Sequence, residues 1–150
     1  IGNAAFHTDE LYGPLTAAVD PLMHLLDASE EAKTRSNACA ALGNLVRNSS
    51  VLCSLMVSSG ALDAIINLIA GPTEGNEVVV DVDIVKIAIY SLGNVCRHRV
   101  CRERVESRQL IPLLDELARQ GDENVKKYVV RLKAKLDAAP TNRSSSSAAK

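Results

Sequence analysis

Lys33-Thr-Arg-Ser-Asn-Ala-Cys-Ala-Ala-Leu-Gly-Asn-Leu-Val-Arg-Asn48 and Lys86-Ile-Ala-Ile-Tyr-Ser-Leu-Gly-Asn-Val-Cys96 carry the pattern that decides the fold. Apolar residues return at the period of a helix around each: Ala38, Ala41, Leu42 and Leu45 at the first, and Ile84, just before the second, with Ile87, Ala88, Leu92 and Val95 inside it. Both helical segments close on Leu-Gly-Asn, at Leu42-Gly43-Asn44 and Leu92-Gly93-Asn94, and Ile1-Gly2-Asn3 opens the chain with a related triplet. The three anchors lie 41 and 50 residues apart. Self-similarity at such an interval, near the roughly 40 to 47 residues of armadillo and HEAT units, predicts a repeat architecture.

Working outward from the anchors, Val51 to Val57 reads as a short helix, Ser58-Ser59-Gly60 as a turn and Leu62 to Ile69 as a compact apolar helix. The scheme recurs as Val100 to Val105, Leu110 to Ala118 and Val125 to Leu136, and earlier as Leu11 to Val19, Pro21 to Leu26 and Lys33 to Val46. Pro21 and Pro112 fall where a missing N–H is tolerated near a helix start, Gly60, Gly71 and Gly121 where helices end, and Asp122 where an N-cap is needed. Three helices per unit favours armadillo over HEAT. The expected fold is all-α: a right-handed α-solenoid of armadillo-like, three-helix repeats.

The expected division is a truncated third helix over 1–8, repeats over 9–48, 49–98 and 99–139, and a disordered Ser-rich tail over 140–150. The middle repeat carries an acidic insertion over 71–83, with Glu74, Glu77, Asp81 and Asp83 and no basic residue. Its β-branched stretch reads as loop running into helix, because a lone strand has no partner in a helical stack. The opening stub implies a fragment of a longer protein, with self-association through the exposed amino-terminal edge as an expectation.

Hydrophobic residues at 47% and charged residues at 23% describe an ordinary globular chain, while 3% aromatics and no Trp require an aliphatic core. A net charge of −1 supplies no general attraction to nucleic acid or an anionic membrane, and neither is expected as a partner. No apolar run approaches the roughly 18 to 20 residues of a membrane span. Cys39, Cys53, Cys96 and Cys101 sit in apolar-periodic segments and read as buried thiols in a reducing, cytoplasmic setting.

For chemistry, the pattern offers little to an enzyme. Glycine-rich phosphate loops, nucleophile elbows and kinase catalytic signatures do not occur, so no catalytic residue and no cofactor is expected. Cys96-x-His98-x-x-Cys101 lacks a second ligand pair, so no metal is expected. What remains is a recognition surface. Asn44 with Arg47, and Asn94 with Arg97, stand three residues apart on one face of a third helix, and Tyr90 lies one turn before Asn94 where the earlier repeat has Ala40. A carboxamide both donates and accepts, so a ladder of Asn can hold an extended peptide, while Arg adds bidentate recognition of carboxylate or phosphate. Asn44, Arg47, Tyr90, Asn94 and Arg97 are therefore the expected partner-binding residues, against the alternative that the Asn side chains bridge helices internally. The Arg97, Arg99, Arg102, Arg104 and Arg108 run adds a local positive surplus for an acidic or tubulin-like partner, or a solvated helix face.

The Ile1 to Leu15 stretch, with Lys33 to Asn48 and Lys86 to Cys96, resembles the carboxy-terminal armadillo region of Fused-type serine/threonine kinases over residues 1 to 136. The resemblance implies a non-catalytic regulatory or scaffolding end of a kinase whose catalytic domain lies upstream. It also implies links to Hedgehog signalling, cilium assembly and plant cytokinesis, with kinesin-like motors or cytoskeletal proteins as partners and a cytoplasmic, ciliary or cytoskeletal location. The alternative function is a purely structural solenoid segment, assembling end to end. From peptide-binding armadillo proteins such as importin-alpha and beta-catenin, the third-helix Asn ladder carries over onto Asn44 and Asn94, and onto Asn3 at the edge. Without the Trp array of importin-alpha, reading of nuclear-localisation signals is not expected.

Overall fold

A computed structural model describes residues 12–27, 29–47, 49–70 and 81–138. The Ile1 stub, most of the acidic insertion and the Ser-rich tail lie outside the described residues. The chain enters through α1 (Tyr12–Leu15) and a 3-10 turn (Thr16–Ala18) into α2 (Val19–His24) and the long α3 (Ala32–Val46). Next come α4 (Ser50–Ser58), α5 (Ala61–Ala70) and α6 (Val82–Val95), then α7 (Arg99–Glu106), α8 (Ile111–Gln120) and α9 (Glu123–Leu136). No strand occurs among the described residues. The Leu11 to Val19 segment, expected as one helix, is broken by the 3-10 turn, and α2 begins at Val19 with Pro21 inside its first turn, where no N–H is required.

Local chemistry starts these helices. Ser49 Oγ accepts from the Leu52 N–H at 3.2 Å to cap α4. Asp81 takes the N–H groups of Asp83 and Ile84 at 2.9 and 3.2 Å to cap α6. Asp122 takes that of Val125 at 2.8 Å to cap α9. Each satisfies helix N–H groups that have no intrahelical acceptor. Gly60 turns the chain from α4 into α5 at φ +81°, a left-handed conformation that side chains rarely adopt.

Like packs on like. Third helix packs on third helix (α3 on α6, α6 on α9), first on first (α4 on α7) and second on second (α2 on α5). That register makes the chain a solenoid rather than a closed bundle, and its core is a continuous aliphatic strip through Leu22, Leu42, Leu52, Ile65, Ile66, Leu92, Leu114 and Leu132. Each such side chain contributes roughly 1.5–3 kcal/mol on leaving water, which offsets the scarcity of aromatics. Among the described residues no single helix is long and apolar enough to cross a membrane.

The glycines of the two Leu-Gly-Asn triplets serve different ends. A Cβ on Gly43 would meet Ser91 Cβ at 2.6 Å and Ser91 Cα at 2.8 Å, so α3 and α6 touch nearly backbone to backbone there. Ser91 uses the approach to donate to the Cys39 carbonyl at 3.1 Å. At Gly93 the nearest atom is Arg131 Nε at 3.8 Å, so this glycine leaves room for an arginine stem instead.

The cysteines require a correction. Cys39 and Cys96 are free and buried, and burial pushes each thiol up to about 12. Cys53 and Cys101, read from the sequence as separate buried thiols, instead meet sulfur to sulfur between α4 and α7 as a disulfide pair, with Cα atoms 6.4 Å apart. Residues 48 positions apart meet because the first helices of consecutive repeats stack in register.

Candidate functional site

The side-by-side packing of α3, α6 and α9 sets their polar positions in rows. Helical spacing places Asn37, Ala40 and Asn44 on one face of α3, with Arg47 at its C-cap, and Lys86, Tyr90 and Asn94 on one face of α6, with Arg97 in the turn just beyond its end. Lys127, Arg131 and Lys135 continue the row on α9.

A directed hydrogen-bond chain crosses the three helices. Arg131 Nη2 donates to Asn94 Oδ1 at 2.7 Å, and Asn94 Nδ2 donates to Asn44 Oδ1 at 3.2 Å. A guanidinium has only donors, so it requires the oxygen of Asn94, which turns the Asn94 amide toward Asn44 and occupies the oxygen of Asn44 in turn. The Asn44 NH2 is left at the end of the chain. Arg131 also lies over the Tyr90 ring, 5.2 Å from its centroid, while Tyr128 meets the same ring edge-on at 5.2 Å.

The expected partner-binding residues fare differently. Asn94 is 0% exposed, so it does not offer its carboxamide to a partner directly: the close α3/α6 crossing and the Arg131 guanidinium consume it, and it acts as the internal bridge. Asn44, Arg47 and Tyr90 are half-buried, and Arg97 is exposed. Tyr90 is engaged by α9 on one side and remains partly open.

Arg131 and Tyr128 escaped the sequence reading because α9 has no Leu-Gly-Asn triplet to mark its register. The helix caps hold the missing signal: counting nine residues from the N-cap reaches Tyr90 from Asp81 and Arg131 from Asp122.

The arginine run at the last junction proves to be largely paired. Asp63 of α5 receives both Arg104 and Arg108 at 3.0 Å, and Arg108 also donates to Asn67 at 2.9 Å, so these arginines join adjacent repeats. Arg99 is paired with Glu103 along α7 at 2.6 Å. His98 Nε2 lies 2.8 Å from the Val46 carbonyl, which requires a proton on that nitrogen and ties α7's start to α3's end. Among the described residues no group of three or more His, Cys, Asp or Glu side chains gathers to hold a metal ion.

Residues 17–47, which run from the 3-10 turn to the end of α3, match the Armadillo/beta-catenin-like repeat family. Over 128 residues, 81% of this chain, the sequence is 37% identical to "Serine/threonine-protein kinase TIO" of Arabidopsis thaliana. The chain spans 10% of the length of that kinase.

Proposed function

Because the chain is an all-helical solenoid carrying an armadillo repeat, and is similar to a small part of a Fused-type kinase, we propose that it is a non-catalytic docking segment of a larger kinase. The third-helix face, with Asn44, Arg47, Tyr90 and Arg97, receives an extended or helical segment of a partner protein. Kinesin-like motors and cytoskeletal proteins, in a cytoplasmic, ciliary or cytoskeletal setting, are the partners that the Fused resemblance suggests. The observation that carries this reading is the gathering of half-open polar and aromatic side chains on three adjacent helices, where they meet a peptide's alternating N–H and C=O groups.

A photo-crosslinking residue at Asn37 or Arg97 is expected to capture a partner, and one at Ser54 of α4 or Glu116 of α8 is not. Capture from α4 or α8 alone would move the function off this face.

One observation favours a second reading, end-to-end assembly. Val130 is 67% exposed, at the place, eight residues from the N-cap, where α6 has the fully buried Ile89. A stacked repeat or a second copy laid on α9 would cover it.

A further inference from the structure

We infer that α8 and α9 form a closing cap on the solenoid: their outer face stays in water, and neither a further repeat nor a second copy of the chain stacks on it. The inference is independent of the docking role proposed above, and it decides the second reading against α9.

Equivalent places in the last two repeats follow from the backbone. His98 stands at the N-cap of α7 as Ser49 stands at that of α4, 49 residues earlier. Gln109 turns the chain toward α8 at φ +49°, as Gly60, again 49 residues earlier, turns it into α5 at φ +81°. Asp122 caps α9 as Asp81 caps α6, at an offset of 41 residues. In that register the inner side of the last repeat keeps its apolar character: Val105, Leu114 and Val125 are buried as Met56, Ile65 and Ile84 are.

Its outer side does not. Ile66 and Leu92, both 0% exposed in the middle repeat, are answered in the last one by Asp115 and Lys133, which form an ion pair at 2.6 Å between α8 and α9. Val85, also buried, is answered by Lys126, which Glu123 holds at 2.8 Å, and the buried Cys96 by the exposed Asp137. Two apolar core places have thus become an ion pair closed within the last repeat, so these charges need no partner from outside. A repeat laid on α9 would strip water from them, and that costs more than contact with the exposed Val130 and Ala134 returns. A terminal repeat of a solenoid needs such a polar outer face, and a single exposed valine is ordinary on a water-facing surface.

The test is sedimentation velocity of the 150-residue chain from low to high micromolar concentration. The wild-type chain and Val130→Glu are expected to match each other in sedimentation coefficient at every concentration. Asp115→Ile with Lys126→Val and Lys133→Leu, which restores the apolar residues of the middle repeat, is expected to self-associate, its coefficient rising with concentration toward the dimer value. A control triple, Arg99→Leu with Glu103→Ile and Arg119→Val, makes the same change in net charge at places whose counterparts Ser50, Ser54 and Ala70 are exposed, and is expected to behave as the wild type. Circular dichroism checks that each variant is helical, and the comparison of wild type with Val130→Glu stands even where a triple variant fails to fold. Wild-type association that Val130→Glu abolishes would overturn the inference and restore the second reading. A folded restored triple that sediments as the wild type, or a control triple that associates equally, would overturn it too, since the end would then not be closed by these charges. None of these readouts needs a partner on the third-helix face, so failure here leaves the docking role untouched.

Discussion

Asn94 of α6 donates its carboxamide to Asn44 of α3 at 3.2 Å across 50 residues of sequence, and so joins the two Leu-Gly-Asn triplets directly. The bond is possible because Gly43 lets the helices close on Ser91, and it is given a direction by Arg131 on the next helix.

Asn94→Ala is expected to destabilise the fold by about 1–3 kcal/mol, because it removes a fully buried carboxamide and leaves the half-buried Asn44 oxygen and an arginine donor without their partner. The measurement is the urea midpoint of the helical circular dichroism signal. A loss under about 0.5 kcal/mol, the level of an ordinary surface substitution, would show that the bridge adds nothing.

The two glycines should respond in opposite directions to the same methyl group. Gly43→Ala pushes against the Ser91 backbone, and overpacking of that kind costs about 1–3 kcal/mol. Gly93→Ala meets only ordinary contact with the Arg131 stem, and helix propensity favours it by up to about 1 kcal/mol. Thermal melts of the two variants decide this, and equal melting temperatures would contradict the packing described for Gly43.

Mild oxidation is expected to yield one linkage, Cys53 to Cys101, found as a cross-linked peptide by mass spectrometry of a non-reduced digest. Their Cα separation of 6.4 Å lies inside the usual span of about 4.4–6.8 Å, and closing a loop of this size typically adds about 2–4 kcal/mol. Reduction should therefore lower the melting temperature of the oxidised protein. A Cys39 to Cys96 product would contradict the arrangement, which pairs Cys53 with Cys101 and leaves Cys39 and Cys96 free.

Asp122 should titrate below the ordinary carboxylate range, first because the Val125 N–H bonds its charged form and then through Asn124, Lys86 and Lys126, with desolvation opposing. A folded pKa below the unfolded one means that this contribution to stability is present above the unfolded value, near pH ~3.9, and is lost as pH falls through the folded value. Carboxyl NMR titration measures it directly, and Asp122→Asn, which keeps a capping oxygen, should flatten this part of the acid limb.

The helix pattern was legible because it is local. The aliphatic period around Leu42 and Leu92, the N-cap at Asp122 and the turn at Gly60 each act within a few residues, and the helices form at those places. The equivalence of Asn44 and Asn94 was legible as well, since both close the same motif, while Arg131 and Tyr128 on α9 were not. Whether either Asn is open was not legible. Asn44 and Asn94 are the same residue in the same motif, yet one is half-buried and the other fully buried. Their difference comes from Arg131, which lies 37 residues beyond Asn94 and carries no motif of its own.

Sequence alone therefore determined that this is a stack of helices with an aliphatic strip and a repeated Leu-Gly-Asn anchor, because backbone hydrogen bonding and apolar periodicity are properties of short segments. Tertiary structure decided which Asn is fully buried and which half-buried, which arginines are spent on Asp63, and that Cys53 meets Cys101. Each of these depends on the offset between stacked repeats, and that offset is set by how closely α3, α6 and α9 approach one another.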